Sequence, residues 1–307
     1  MSAQDLVAHL DRTGLFDDAG ARAAALRSTR LAGLTNINHL VEHDGQRFVV
    51  RIPGAGTGEY IDRRAEAVAA QIAANAGVNA EVVFFDPSDG LMVTRFVDGA
   101  MTMDAPRFAS DPGAVARAGV AFRRLHTSGQ RFAVDFGLFT MIDDYKRLLA
   151  AKNATLPDGY EDVQRSAEAA RRTLAAHPVT LVPCHCDPLC ENFLDTGTRI
   201  YIIDYEYAGN NDPMWDLGDL SVEGSFTSEQ DDALLTAYFE GAVPAVERAR
   251  MVIHKAMCDL LWTLWGVIQH VNGNPADDFW SYAIGRFQRC QTLMANAEFT
   301  AQLEVLR

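Results

Sequence analysis

The sequence predicts an α+β protein with a small β-rich amino-terminal lobe and a larger, mainly helical carboxy-terminal lobe. Strand-like segments and turn signals concentrate in the first third of the 307 residues. Helical apolar spacing dominates the rest, apart from a β-rich interruption at residues 180–207. The boundary is predicted at Asp98-Gly99, which gives a first lobe of residues 1–97 and a second lobe of residues 98–307.

The first lobe is predicted to begin with a helix over residues 3–30. Leu6, Leu10 and Leu15 recur at helical spacing, and an alanine-rich stretch continues to Leu26. The pattern then changes from helical spacing to strict alternation, so the helix is expected to end before the first strand.

A hairpin is predicted next, because NHLVEHDGQRFVVRI alternates in polarity around the turn signal Asp44-Gly45. Its strands are residues 37–43 and 46–52, and a glycine-rich loop occupies residues 53–58.

The remaining elements of the first lobe are one helix and two strands. The helix is predicted to place Val68 and Ile72 on one face and to end at Gly77. The predicted ranges are 63–76 for the helix, 80–85 and 91–96 for the strands, and 87–90 for the turn between them.

The second lobe is predicted to be helical on both sides of the β-rich interruption. The interruption contains two short apolar pieces, TLVP and RIYIID, separated by a loop and a turn. The predicted helices cover residues 115–126, 142–150 and 160–176, and helices return from Glu229 to the end.

Composition excludes several classes of protein. The 41 acidic and 27 basic residues give a net charge of -14, which disfavours nucleic acid or an anionic membrane as a partner. The sequence contains no run of about 18 apolar residues, the length that a membrane-spanning helix needs, so membrane insertion is not expected. The amino terminus lacks the pattern of a secretory signal, and the five cysteines do not resemble a disulfide framework. These features predict a reducing, cytoplasmic location.

The segment HCDPLCEN and the following IID carry the chemistry. His185 and Asp187 are followed by Asn192, and a β-rich piece then delivers Asp204. Phosphoryl transfer needs a residue that orients the attacking hydroxyl and hard oxygen ligands for Mg²⁺. Asp187 fits the first role, Asn192 and Asp204 fit the second, and His185 is expected to brace the loop. The simpler interpretation is a loop whose Asp and Asn side chains cap turns.

This constellation resembles the catalytic and metal-binding loops of the choline/ethanolamine kinase and aminoglycoside phosphotransferase superfamily. The resemblance covers most of the chain and implies a protein-kinase-like fold, with a nucleotide-binding first lobe and a catalytic, acceptor-binding second lobe. It implies ATP and Mg²⁺ as cofactors. The triplet Asp135-Phe136-Gly137 spells a metal-binding motif of protein kinases but precedes His185, so it is interpreted as a helix-entry turn.

The resemblance extends to the nucleotide site. VVRIPG resembles the strand whose cation contacts the phosphates, here Arg51, and Glu66 fits the glutamate that pairs with it, with Glu59 as the competing candidate. The alternative for Arg51 is a surface charge at a strand end. Other nucleotide contacts are implied in GLTNINHLV, which resembles the phosphate-covering hairpin, and in the hinge that would hold adenine through its backbone: Thr35, Asn36, Asn38, Thr94 and Phe96.

The acceptor site is expected among aromatic residues of the last third. Trp262 and Trp265 are three residues apart and share a helix face, which suits either core packing or binding of a quaternary ammonium. The stretch from residue 261 to residue 287 resembles the choline-binding pattern of the family. The resemblance implies that the acceptor contacts are Tyr207, Glu206, Glu223, Trp262, Trp265 and Tyr282, and that Asp216 supports the catalytic loop.

The expected reaction is transfer of the γ-phosphoryl group of ATP to the hydroxyl of choline. Ethanolamine, an aminoglycoside or another amino alcohol is the alternative acceptor, and a catalytically silent nucleotide- or choline-binding module is a third interpretation.

The cluster Cys184, Cys186 and Cys190 beside His185 departs from the family pattern and suggests a zinc site. Three neighbouring residues would crowd on one loop, however, and no second cysteine pair supplies the remaining ligands.

Overall fold

In the first part of the chain, the described residues form a five-stranded antiparallel sheet and two helices. The computed structural model describes residues 3–16, 27–31, 36–54 and 61–306. The strand order is β1-β2-β3-β5-β4. The elements are α1 (Ala3–Thr13), β1 (Arg27–Leu31), β2 (Ile37–His43), β3 (Gln46–Ile52), α2 (Arg63–Asn75), β4 (Val82–Phe85) and β5 (Met92–Arg95).

The predicted hairpin is confirmed at both ends. Strands β2 and β3 pair from Ile37 opposite Ile52 to His43 opposite Gln46. Asp44 and Gly45 connect them with φ values of 48° and 72°, the left-handed conformation that a two-residue hairpin turn requires. This register places Asn38 opposite Arg51.

The long amino-terminal helix was predicted wrongly. Helix α1 ends at Thr13 and buries Leu6 and Leu10 against the sheet, and Leu15 follows the helix. Residues 27–31 form an edge strand against β2, because the backbone groups of that edge pair with any extended segment beside them. The predicted helical residue Leu26 lies outside the described ranges.

Helix α2 is confirmed, but its buried face differs from the predicted one. Val68 is 43% exposed, and the buried face carries Ala65, Ala69 and Ala73. Small side chains let the helix approach the strands closely. Asp62 caps the helix by accepting from the N–H groups of its first turn, and Gly77 follows its end at φ 69°.

The second part is mainly helical, as predicted. The helix predicted at residues 160–176 is confirmed at both ends, and those predicted at 115–126 and 142–150 are confirmed with earlier starts. The predicted lobe boundary, Asp98-Gly99, falls in the turn between β5 and β6. The elements are β6 (Met101–Thr102), α3 (Ala105–Ser110), α4 (Pro112–His126), α5 (Leu138–Ala151), α6 (Tyr160–Ala176), β7 (Val182–Cys184), β8 (Phe193–Asp195), β9 (Ile200–Ile202), β10 (Gly209–Asn211), α7 (Pro213–Glu223), α8 (Ser228–Phe239), α9 (Ala245–Val271), α10 (Phe279–Ala295) and α11 (Ala297–Val305).

Helix α7 was not predicted, although its start carries clear signals. Asp212 accepts a hydrogen bond from the N–H of Met214, and Pro213 occupies the first helical position. All but its first and last residues are buried, so no amphipathic period marks the segment.

Helix α9 is the centre of the second lobe. It packs against α5, α7, α10 and α11. By length and composition it could cross a membrane, but 83% of its most apolar window is buried inside the protein. It is therefore the core helix of this lobe.

Candidate active site

The catalytic loop is held by one buried carboxylate. Asp216 on α7 accepts from the backbone N–H of His185 at 2.7 Å and from that of Cys186 at 2.8 Å. The same carboxylate also contacts His126 Nε2 at 3.0 Å. Cys186 has a φ of 68°, an unfavourable conformation for a residue with a side chain, and the two hydrogen bonds stabilise it there.

His185 ties this loop to the strand that precedes Asp204. Its Nε2 donates to the carbonyl of Ile203 at 2.8 Å, and its ring packs edge-on against Tyr205. Burial lowers the pKa of His185, so the imidazole is neutral. The bracing role of His185 stays a prediction, and these contacts are the ones through which it would act.

Asn192 and Asp204 converge beside Asp187. The Asn192 Nδ2 donates to the carbonyl of Asp187 at 3.1 Å, which leaves the side-chain oxygen of Asn192 for a cation. Asp204 has a φ of 69°, so its backbone does not continue the extended conformation of β9.

Three carboxylates could share a cation at this point. Oxygens of Glu66, Asp204 and Glu206 lie within 4.8 Å of one another. Burial raises the pKa of Glu206 to about 7, and the charge of Asp204 adds to this shift. Carboxylate and amide oxygens are the ligands that Mg²⁺ prefers, and the site has excess negative charge, so these residues fit the ion.

Asp187 lies in an acidic environment. Burial raises its pKa above the ordinary value, and the charges of Glu223, Asp204 and Glu206 act in the same direction. A raised pKa makes the carboxylate a stronger base towards a hydroxyl proton.

Arg51 connects the sheet to the carboxylate group. Its guanidinium pairs with Glu66 and with Asp204, the latter at 3.0 Å. Burial alone would lower the pKa of Arg51, but the charges of Glu66 and Asp204 raise it above its ordinary value. The side chain is 5% exposed, which excludes a surface charge. The competing candidate Glu59 lies outside the described residues.

The other predicted nucleotide contacts take different positions. Asn36 Nδ2 donates to Glu206 at 3.4 Å, and Asn38 lies in β2 opposite Arg51. Thr94 is in β5, and the N–H of Phe96 donates to the carbonyl of Arg47 at 3.0 Å, which commits that amide to the sheet. The predicted contact Thr35 is not among the described residues.

The four aromatic residues among the predicted acceptor contacts form one cluster: Tyr207, Trp262, Trp265 and Tyr282. The ring of Trp262 meets Tyr207 edge-on at 5.7 Å and Trp265 at 6.1 Å. Trp265 meets Tyr282 at 5.8 Å. Three of the four side chains are only partly buried, so this cluster is not sealed in the core. The negative charge of Asp187 acts on Tyr282, which places the cluster beside the catalytic loop.

Glu223 is paired within the protein. Arg286 on α10 contacts its carboxylate at 2.5 Å and Asp259 at 3.3 Å, and its guanidinium lies 5.0 Å from the ring of Tyr282. The predicted anionic contact of the acceptor therefore already has a cation.

The cysteines are occupied by hydrogen bonds to carbonyl groups. Cys184 Sγ contacts the carbonyl of Asn211 at 3.6 Å, and Cys186 Sγ contacts that of Gly209 at 3.7 Å. Burial raises the pKa of both thiols, which disfavours the thiolate that zinc requires. The Asp135-Phe136-Gly137 triplet ends where α5 begins, as predicted.

Known proteins are similar to this chain in sequence and in fold. Residues 28–252 match the phosphotransferase enzyme family. A crystal structure of a choline/ethanolamine kinase family protein from Mesorhizobium loti is 52% identical, with a TM-score of 0.90 over 100% of this chain and 99% of that one. The chain belongs to the choline/ethanolamine kinase family. It is a kinase-like phosphotransferase that acts on an alcohol group.

Two further structures are related to this kinase. Choline kinase LicA from Streptococcus pneumoniae is 28% identical, with a TM-score of 0.74 over 90% of this chain and 96% of that one. A LicA structure in complex with AMP is 27% identical, with a TM-score of 0.70 over the same shares, 90% and 96%.

Two side chains that interact with the predicted site residues were not predicted from the sequence. Arg63 contacts Glu66 at 2.6 Å and Glu206 at 3.4 Å, so it neutralises part of the carboxylate group. Asp219 on α7 is buried near Glu223. The spacing of Asp219 four residues before Glu223 was a usable signal, because residues four apart share a helix face.

Proposed function

We propose that this kinase transfers the γ-phosphoryl group of ATP to the hydroxyl of choline and forms phosphocholine and ADP. The observation that carries the proposal is the aromatic cluster beside Asp187. A quaternary ammonium has no N–H to donate, and aromatic faces hold it through their quadrupoles. A cation in this cluster would also lie near Asp187, whose pKa is raised by burial and by the charges of Glu223, Asp204 and Glu206.

Asp187 orients the acceptor hydroxyl and accepts its proton. Its raised pKa and its position on a loop braced by His185 and Asp216 support this role. Arg51 steadies the phosphates, and the paired Glu66 keeps its guanidinium extended towards the site.

Mg²⁺ would be held by Asn192 and Asp204, and a carboxylate oxygen of Glu206 lies within 4.8 Å of one of Asp204. When bound, the ion neutralises charge on the phosphates. Thr35, Asn36 and Asn38 would cover the phosphates, and backbone groups near Thr94 and Phe96 other than the Phe96 N–H would hold adenine. The AMP in a related LicA structure supports nucleotide binding in this fold.

The acceptor contacts are Tyr207, Trp262, Trp265 and Tyr282, with Glu223 and Glu206 as the nearby acids. The similarity of this chain to choline kinase LicA supports choline as the acceptor. Unpaired cysteines support a cytoplasmic location. Ethanolamine is the second candidate acceptor, because the carboxylates near Asp187 can accept hydrogen bonds from a primary ammonium.

The test is a steady-state assay with ATP, Mg²⁺ and a panel of choline, ethanolamine and an aminoglycoside. We expect ADP release with choline at the highest kcat/KM, and phosphocholine as the product by phosphorus NMR. A higher kcat/KM for an aminoglycoside, or nucleotide binding with no acceptor-dependent ADP release, would contradict the proposal.

A further inference from the structure

Asp219 and Cys258 form a buried pair next to the aromatic cluster. Asp219 lies one turn before Glu223 on α7, and Cys258 lies one turn before Trp262 on α9. The Cys258 Sγ donates to Asp219 Oδ1 at 2.8 Å. Because residues four apart share a helix face, the pair lies one turn from both acceptor-site side chains.

The second carboxylate oxygen of Asp219 lacks a donor. The residue is 1% exposed, and no N–H or O–H among residues 3–16, 27–31, 36–54 and 61–306 donates to its Oδ2. A buried acceptor without a partner is unfavourable, and such groups are rare outside functional sites. Burial raises the pKa of Asp219, and the charges of Glu223 and Asp187 add to this effect.

The nearby guanidinium groups are engaged by other acids. Arg286 contacts Glu223 and Asp259, and Arg289 binds Asp259 through both Nε and Nη2. The Asp219 carboxyl therefore has no direct contact with a guanidinium in this part of the described structure.

An amino-alcohol acceptor would bring an ammonium group to this point. Its hydroxyl and nitrogen are separated by only two carbons, so a hydroxyl at Asp187 requires the nitrogen to lie close by. The charge of Asp187 acts on Asp219. Ligand atoms of Asp219, Glu223 and Cys258 lie within 4.8 Å of one another, so Asp219 lies beside Glu223, one of the predicted acceptor contacts.

We propose that Asp219 is a specificity-determining residue, whose Oδ2 accepts a hydrogen bond from acceptors that carry an N–H on the ammonium nitrogen. This inference rests on the proposed phosphorylation of an amino alcohol and divides its substrate class. The aromatic cluster serves every acceptor in the class, and Asp219 serves the acceptors with an N–H. Choline has none, so it would gain only the charge attraction.

The test uses four acceptors with zero, one, two and three N–H groups: choline, N,N-dimethylethanolamine, N-methylethanolamine and ethanolamine. The variant is Asp219→Asn, in which Cys258 still has an oxygen acceptor but the second position becomes an NH₂ donor. The matched control is Asp231→Asn. Asp231 also links α7 and α9, through Ser221 and Lys255, but it does so away from the aromatic cluster.

We expect the loss of kcat/KM in Asp219→Asn to be larger for each of the three acceptors that carry an N–H than for choline. For ethanolamine it should exceed the loss for choline by roughly 10- to 100-fold, the range for a hydrogen bond to a charged group. Asp231→Asn should change all four values by one common factor.

An equal loss on all four acceptors in Asp219→Asn would overturn the proposal, because a structural or purely electrostatic role does not distinguish N–H from N-methyl. If that variant does not fold, Asp219→Leu is measured in the same way, with the same criterion. Failure of the wild-type enzyme to phosphorylate any of the four would instead contradict the proposed function.

Discussion

Two buried groups of charges in the second lobe are treated differently by the protein. Asp212 accepts from Arg250 Nε at 2.7 Å and from His254 Nε2 at 2.9 Å. Burial alone would raise its pKa, but His254 and Arg250 lower it well below the usual range. Around the catalytic loop the outcome is reversed, and the pKa values of Asp187 and Asp219 are raised.

The difference separates structural from functional acids. At Asp212 the protein supplies the partners Arg250 and His254 itself, and the carboxylate joins α7 to α9. Near Asp187, acids outnumber the cations that contact them, so the group is suited to positive charges that arrive with the ligands. Removing a carboxylate should therefore reduce stability at the first group and reduce activity at the second.

The largest effect is expected for Asp187→Asn. The variant loses the base that accepts the hydroxyl proton, so kcat should fall by roughly 10²- to 10⁴-fold. The free energy of unfolding should stay the same or rise, because an acid with unfavourable neighbours is removed. Steady-state kinetics and urea unfolding measure both. The control is Asp135→Asn in the misleading Asp-Phe-Gly triplet, which should retain kcat.

The opposite result is expected for Asp212→Asn. Arg250 and His254 would keep their buried positions without a carboxylate, and breaking a buried pair costs about 3–5 kcal/mol. Urea unfolding should show this loss, while kcat at a temperature where the variant is folded should change little. A stable variant with kcat reduced as much as in Asp187→Asn would remove the distinction between the groups.

A smaller effect is expected for Trp265→Leu in the aromatic cluster. Loss of one aromatic face should raise KM for choline by roughly 3- to 30-fold, the range for a cation–π contact. Trp280→Leu is the matched control, because Trp280 packs against His270 and outside the cluster. Equal KM values in the two variants would show that the cluster is only packing.

The smallest effect concerns pH and Mg²⁺. Glu206 has a pKa of about 7, so a proton competes with the cation below that pH. The apparent affinity for Mg²⁺ should increase by roughly tenfold between pH 6 and pH 8, and Glu206→Gln should flatten this dependence. The folded state holds this proton to higher pH than the unfolded chain, so the contribution of Glu206 to stability falls as the pH rises towards 7. Titration of Mg²⁺ dependence at several pH values provides the measurement.

The catalytic loop could be predicted from sequence because its parts are close in the chain. His185, Asp187 and Asn192 lie within eight residues, and the turn before Asp204 is short. The hairpin was predictable for the same reason, since Asp44-Gly45 determines both its turn and its register.

The contacts that depend on packing between distant elements could not be predicted. The pairing of Glu223 with Arg286 requires α7 and α10 to meet, and the edge strand 27–31 is stabilised only by its neighbour β2. The exposure of Val68 depends on which face of α2 meets the sheet. In each case a local pattern was compatible with two structures, and the tertiary partner decided between them.

The most direct test of the account is a crystal structure of the enzyme with ADP, Mg²⁺ and choline. The account predicts the choline hydroxyl within hydrogen-bonding distance of Asp187, roughly 2.6–3.2 Å, and the trimethylammonium group against Trp262 and Trp265. Choline bound away from these tryptophans, with its hydroxyl out of reach of Asp187, would contradict it.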